Sequence, residues 1–250
     1  MGKNILITAG GTSEPIDTVR KITNFATGSL GSEICFEILT NYDANIDRIF
    51  YLCPKNAVLP SSHSKLNLIF TETSENVLSE ITHILTTEKI DVCIHSMAVS
   101  DYVVDYVSDV SEIAEKLHNE FCLAPEISIE KIKGVLQTAI TPITDSKISS
   151  NRDDLVIKLK KGPKIINNIK SLSPNTMLVG FKLLSNVSKD ELYNVAHNLL
   201  EKNHAGYVVA NDLSDIKDGK HKAMIIDNSG VVANCDTKKD IAKKLCKLIL

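Results

Sequence analysis

A chain of 250 residues with 28 basic and 31 acidic side chains carries a net charge of −3 and has no basic tract long enough to follow a nucleic-acid backbone, so nucleic acid is not an expected partner. This length is at the upper end for a single domain and buries about three quarters of the surface an unfolded chain exposes, without staples; six scattered cysteines with no C-x-x-C pair read as reduced core residues, not a disulfide or zinc framework. No run approaches the ~20 apolar residues of a membrane span, and the N-terminus lacks the apolar core and small-residue cleavage site of a signal peptide, so a cytoplasmic location with no membrane partner is expected.

In chain order, residues 4–31 come first. The apolar run Ile5-Leu6-Ile7 breaks at Gly10-Gly11, a polar loop follows, and Gly28 and Gly31 precede a helical pattern over residues 32–39. A strand, a glycine-rich crossing and a helix start favour a phosphate ester, because glycine lets the backbone approach phosphate oxygens and first-turn N–H groups attract negative charge. The spacing is not that of the dinucleotide fingerprint, whose glycines fall close together. Here residues 12–27 intervene, bringing Glu14, Asp17, Arg20, Lys21 and Asn24.

Residues 48–53 and 65–70 read as strands, 73–87 as a helix capped by Thr73 or Ser74, and 90–95 as a further strand, an alternation that predicts a parallel sheet with helices on both faces. Residues 96–101, Ser-Met-Ala-Val-Ser-Asp, follow the last of these strands, where such a sheet presents its ligand crevice. From about residue 103 to 150 the alternation stops. Two amphipathic helices, 110–121 and 127–139, separated by Pro125 and ended at Thr141-Pro142, predict a lid-like insertion. Residues 155–161 alternate apolar and basic positions, predicting a strand with one buried face and Lys158 and Lys160 on the other. Gly162-Pro163 is read as a helix start, 177–181 as a strand, 188–203 as a helix, 207–212 as the last central strand, 222–234 as a hairpin and 236–250 as a C-terminal helix.

Four segments make a family recognisable. The run Ile-Thr-Ala-Gly-Gly-Thr with Glu-Pro-Ile-Asp-Thr-Val-Arg, Asn24 and Thr27 to Gly31, then residues 96–101, then Val179-Gly180-Phe181 and Val209 to Asp212, resemble phosphopantothenate–cysteine ligase. The likeness spans most of the chain and is weakest over about 103–143. It implies a Rossmann-like, mostly parallel α/β sheet in one nucleotide-binding ligase domain over residues 1–250, and a homodimer with shared sites. It implies a cytoplasmic enzyme of coenzyme A biosynthesis that joins cysteine to 4'-phosphopantothenate through an acyl-nucleotide. CTP is favoured over ATP as co-substrate, with Mg²⁺ riding on the triphosphate and no dedicated metal ligands.

The same resemblance assigns residues. Asn24 and Lys147 would be catalytic, and Arg20, Met97, Ala98 and Asp101 would bind substrate. Gly10, Gly11, Ala26, Gly28, Gly31, Asp101, Lys147, Pro163, Lys164, Ile165, Ile166, Phe181, Lys202 and Asn211 would line the nucleotide. Two departures stand out: Met97 replaces a usual alanine, and Lys147-Ile-Ser-Ser stands where relatives carry a K-x-K-K motif. Two other readings stay open from residues alone, an NAD(P) oxidoreductase and a nucleotide-sensing module without catalysis.

Overall fold

The fold is that of a computed structural model in which residues 2–123, 128–139, 142–143, 146–217 and 219–250 are described. The chain forms two compact units, one comprising residues up to Thr12, Asn24–Ser100 and Pro163–Leu250, the other Ser13–Thr23 and Asp101–Gly162. β1 (Lys3–Thr8) opens the first unit, and β2 (Ser13–Pro15) and β3 (Lys21–Thr23) belong to the second. α1 (Ser29–Asn41), β4 (Ile46–Cys53), β5 (Leu66–Phe70), α2 (Ser74–Thr87) and β6 (Val92–His95) return to the first. The second unit continues with β7 (Tyr102–Ser108), α3 (Val110–Leu123), α4 (Ile129–Gly134), a π-helical turn Val135–Ala139, and β8 (Val156–Lys161). α5 (Ile166–Leu172), β9 (Met177–Leu184), α6 (Lys189–Asn203), β10 (Tyr207–Asp212), β11 (Ala223–Asp227), β12 (Gly230–Cys235) and α7 (Lys238–Ile249) complete the first.

In the first unit eight strands pair in the order β12-β11-β10-β9-β6-β1-β4-β5. The run from β10 to β5 is parallel throughout, and β11 and β12 add the antiparallel edge hairpin expected over 222–234. Alternating residues of each central strand feed opposite faces. Ile5, Ile7, Ile49 and Tyr51 pack with Ile34 and Ile38 of α1 and Ile241 and Leu245 of α7. Leu6, Phe50 and Leu52 pack with Val77 and Ile81 of α2 and Leu192 and Ala196 of α6 on the other. Burial on both faces explains why the strands read as continuous apolar runs. The chain builds outward from β1 to β4 and β5, then crosses to lay β6 on the other side of β1, so the sheet's switch point lies between the C-terminal ends of β1 and β6.

Local signals behave as their chemistry dictates. Thr73 caps α2 in a reciprocal box with Asn76, and Ser188 caps α6 by accepting from the Glu191 N–H. The expected helix start at Gly162-Pro163 is displaced: α5 begins at Ile166, after a turn in which Asn167 N–H bonds to the Lys164 carbonyl at 3.2 Å. Five of the six cysteines are buried, and Cys122 is exposed.

In the second unit the structure departs from the sequence reading. Part of the supposed polar loop is the antiparallel pair β2–β3, and the supposed insertion opens with a strand, β7, that pairs antiparallel with β8. The strand signal of Tyr102 to Ser108 is masked because the register shifts between Val104 and Tyr106, which breaks the period-two pattern. Asp105 in that irregularity pairs with both Lys158 (2.9 Å) and Lys160 (3.1 Å), so these lysines are not simply solvated. The apolar side of β8 is not buried either: Ile157 and Leu159 are 37% and 42% exposed. The expected breaks at Pro125 and Thr141 lie outside the described residues.

Candidate active site

β1 runs out at Thr8 and its extension, Ala9 to Thr12, lies beside the extension of β6. Ala98 N–H bonds to the Gly10 carbonyl at 2.8 Å, and Thr12 N–H bonds to the Ala98 carbonyl at 3.1 Å. Thr12 Oγ1 then reaches Ser100, accepting from its N–H at 2.9 Å and donating to its Oγ at 2.9 Å. The returning chain hooks onto the same place: Asn24 Nδ2 donates to the Ala98 carbonyl at 3.1 Å. A Cβ on Gly11 would lie 2.6 Å from the Asn24 carbonyl oxygen, so glycine is what lets residue 24 approach the strand end. Beneath the loop, buried His95 shares a hydrogen bond with Thr8 Oγ1 at 2.9 Å, and burial lowers its pKa to about 4. It is a neutral histidine at the strand end.

Gly28 precedes α1 in the left-handed region (φ 75°), which glycine adopts without a Cβ penalty, and no side chain caps the helix. Gly31 sits on the first turn where a Cβ would lie 2.5 Å from the Ala9 Cβ and 3.1 Å from Ser96 Oγ. Gly31→Ala is therefore expected to push α1 off the strand end and cost about 1–3 kcal/mol. Urea unfolding would report this, and an unchanged midpoint would show that the helix shifts freely.

These segments wall one side of a cavity of ≈ 420 Å³ in the first unit. Of the residues expected at a nucleotide or substrate, Gly10, Ala26, Gly28, Gly31, Met97, Ala98, Phe181 and Asn211 line it. Gly11 does not line it. Ile165 is buried in the core and Ile166 packs against it, in the turn that also holds Pro163 and Lys164, and Lys202 is in the last turn of α6; none of these is on the cavity wall.

Sequence reading missed His221 and Lys238, both on the wall. His221 is 9% exposed, its Nε2 lies 3.4 Å from Asn211 Nδ2, and burial together with the nearby Lys238 charge lowers its pKa. The cluster Lys217 to Lys222 was the available signal, but nothing in it says which residue turns inward.

Buried Asp212, next to Asn211, fixes this wall. Its carboxylate accepts from the N–H groups of Asn186 (3.0 Å), Val187 (2.8 Å) and Ser214 (2.7 Å), which hold it well below the usual carboxylate range. A depressed carboxyl stabilises the fold above its unfolded pKa, and that contribution is lost as pH falls through the folded value. Asp212→Asn should thus lower the melting temperature at pH 7, with the difference from wild type closing below about pH 4. A difference that persists unchanged into acid would mean that shape, not charge, is what matters there.

The second unit holds Arg20, Asp101 and Lys147. Asp17 is a nearly buried carboxylate that accepts from the N–H groups of Val19, Arg20 and Ile148, at 2.8, 2.7 and 3.2 Å, and these bonds lower its pKa. Arg20 Nε lies 3.1 Å from Asp17, and Arg20 Nη2 donates to the Ile148 carbonyl at 2.5 Å. Thr18 N–H and hydroxyl both bond to the Ser146 carbonyl, at 2.9 and 2.5 Å. Lys147, exposed, is thus carried on a turn pinned on either side by the Arg20 loop. Asp101 accepts the Gly162 N–H on its carbonyl at 2.9 Å, at the open end of the β7–β8 pair.

No three His, Cys, Asp or Glu side chains group to hold a metal, and no helix is long and apolar enough to cross a membrane, among the described residues. The chain is 30% identical over 247 residues to the coenzyme A biosynthesis bifunctional protein CoaBC of Thermococcus kodakarensis, covering 99% of this chain and 48% of that protein. It is 24% identical over 252 residues to the CoaBC protein of Methanocaldococcus jannaschii, covering 99% and 50%. The chain thus spans about half the length of the curated relatives it matches. Among solved structures, the DNA/pantothenate metabolism flavoprotein of Streptococcus pneumoniae superposes with a TM-score of 0.82 at 33% identity, covering 99% of this chain and 98% of that one. A Cab2 mutant in complex with phosphopantothenate-cysteine shares the fold, with a TM-score of 0.66 at 18% identity over 98% of this chain and 86% of that one. The family model described as the DNA/pantothenate metabolism flavoprotein C-terminal domain matches residues 1–139 and 134–250, and the chain belongs to that family.

Proposed function

We propose that this protein joins cysteine to 4'-phosphopantothenate in coenzyme A biosynthesis, and that its two units serve one ligase activity. The observation that carries the reading is the glycine-walled cavity at the β1–β6 switch point, with Asn24 held by its amide on the Ala98 carbonyl beside it. A sheet crevice that combines close backbone approach with the uncapped start of α1 suits a nucleoside phosphate.

In the proposed reaction a carboxylate oxygen of phosphopantothenate attacks the α-phosphorus of a nucleoside triphosphate, and pyrophosphate leaves. The cysteine amine then attacks the acyl carbon, nucleoside monophosphate departs, and the amine loses a proton. Positioning and charge stabilisation carry most of such a step, so the chain's part is to bind and orient. Asn24 orients the acyl group, Phe181 packs against the base, Met97 and Ala98 line the substrate side, and Arg20, Asp101 and Lys147 meet phosphate or carboxylate charge. We favour CTP over ATP, with Mg²⁺ carried in on the triphosphate, and a cytoplasmic setting. Pyrophosphate release that depends on phosphopantothenate, compared with CTP and with ATP, tests this. Release without phosphopantothenate, or none with either nucleotide, would overturn it.

A homodimer is part of the proposal. Its support is the exposed apolar face of the β7–β8 sheet, where Tyr102, Ile157 and Leu159 are 54%, 37% and 42% exposed on one side. If Arg20 serves a neighbour's site, mixing Arg20→Ala chains with Asn24→Ala chains restores part of the activity through hybrid sites. No recovery in mixed dimers would place each site within one chain.

A further inference from the structure

We propose that Lys238 and His221 form a phosphate-recognition pair in the cavity, contacting the phosphate chain of the nucleotide co-substrate over the first turn of α1. The inference rests on the nucleotide reading above and adds two residues to it, neither of which the resemblance assigns.

Lys238 is the first residue of α7, yet its Nζ donates to Ser29 Oγ, on the first residue of α1, at 2.6 Å. The ammonium therefore lies at the N-terminus of α1, which carries partial positive charge of its own. A lysine in that position is electrostatically unfavourable unless an anion joins it. No carboxylate pairs with Lys238 among the described residues; Asp240, in the same first turn, is taken by Lys244 at 2.8 Å. Lys217, Lys220 and Lys239 share a neighbouring cavity with Lys238 and His221, which adds to the positive field.

His221 points to the same ligand by an independent route. It is nine-tenths buried and lines the cavity, and its Nδ1 has no hydrogen-bond partner among the described residues. Burial and the Lys238 charge lower its pKa and so favour the neutral ring. With the Asn211 amide donating to Nε2 across 3.4 Å, the ring proton resides on Nδ1, which is then a buried donor without an acceptor. An unmade bond of this kind is costly, and a phosphate oxygen satisfies it. Ser29 Oγ holds Lys238 over α1 until the phosphate arrives.

The test uses the full chain, with CTP and ATP as probes and the matching nucleosides as controls. Lys238→Gln should raise the nucleotide KM about tenfold, as loss of one charge-assisted bond does, and more than it lowers kcat. Lys238→Arg should recover most of the loss, and His221→Leu should weaken nucleotide binding where His221→Asn, which keeps an N–H near Nδ1, weakens it less. Nucleoside binding should not change in any of them. A folded Lys238→Gln protein with wild-type nucleotide KM would overturn the inference alone. So would variants that lose nucleoside and nucleotide binding equally, since the contact would then be to base or sugar. Wild-type protein that binds neither CTP nor ATP would overturn the nucleotide reading and this inference with it.

Discussion

Asn24→Ala is expected to lower product formation by a factor on the order of a hundred while leaving the fold nearly intact, the loss seen when one transition-state donor is removed. The side chain is exposed and donates to the Ala98 carbonyl at 3.1 Å, so its deletion opens no core cavity. That carbonyl keeps a second donor, the Thr12 N–H at 3.1 Å, and is not orphaned. The two strand extensions remain joined through Gly10, Thr12 and Ser100. Stability therefore separates from chemistry at this residue. Steady-state rates together with thermal unfolding test the claim, and a folded variant of full activity would remove Asn24 from the mechanism.

Lys147→Gln is expected to abolish most activity, by about ten- to a hundredfold, the worth of a hydrogen bond to a charged group. In the proposed alignment Ser149 and Ser150 take the place of two lysines, so the single Lys147 ammonium would bear more of a triphosphate's charge. The structure narrows the possible substitutes. Lys160 is engaged by Asp105 at 3.1 Å, and the Lys147 turn is anchored by Asp17, Thr18 and Arg20 through its neighbours Ser146 and Ile148. Lys161→Gln and Lys164→Gln should raise the nucleotide KM more than they lower kcat, the pattern of uniform binding. If Lys147→Gln turned over at the wild-type rate, the proposed alignment of residues 147–150 with the lysine motif would be wrong.

The sequence by itself determined the central sheet and the place of its crevice. Apolar runs such as Ile5 to Ile7 and Leu178 to Gly180, alternating with helical periods and with a cap at Thr73 or Ser74, leave a parallel sheet covered on both faces as the consistent solution. Glycines at 10, 28 and 31 were legible because a left-handed φ or a close backbone approach leaves a residue type as its trace. Tertiary structure alone decided the rest, because it depends on pairs with no local signature. β8 was legible over 155–161, but its partner β7 hides behind a register shift at Asp105, which scrambles the alternation that periodicity reads. Lys238 meets Ser29 across 209 residues of sequence, and His221 turns inward from a run of exposed lysines. Hydrophobic patterning records which face of an element is buried, and it carries no information about which distant polar group that element will meet.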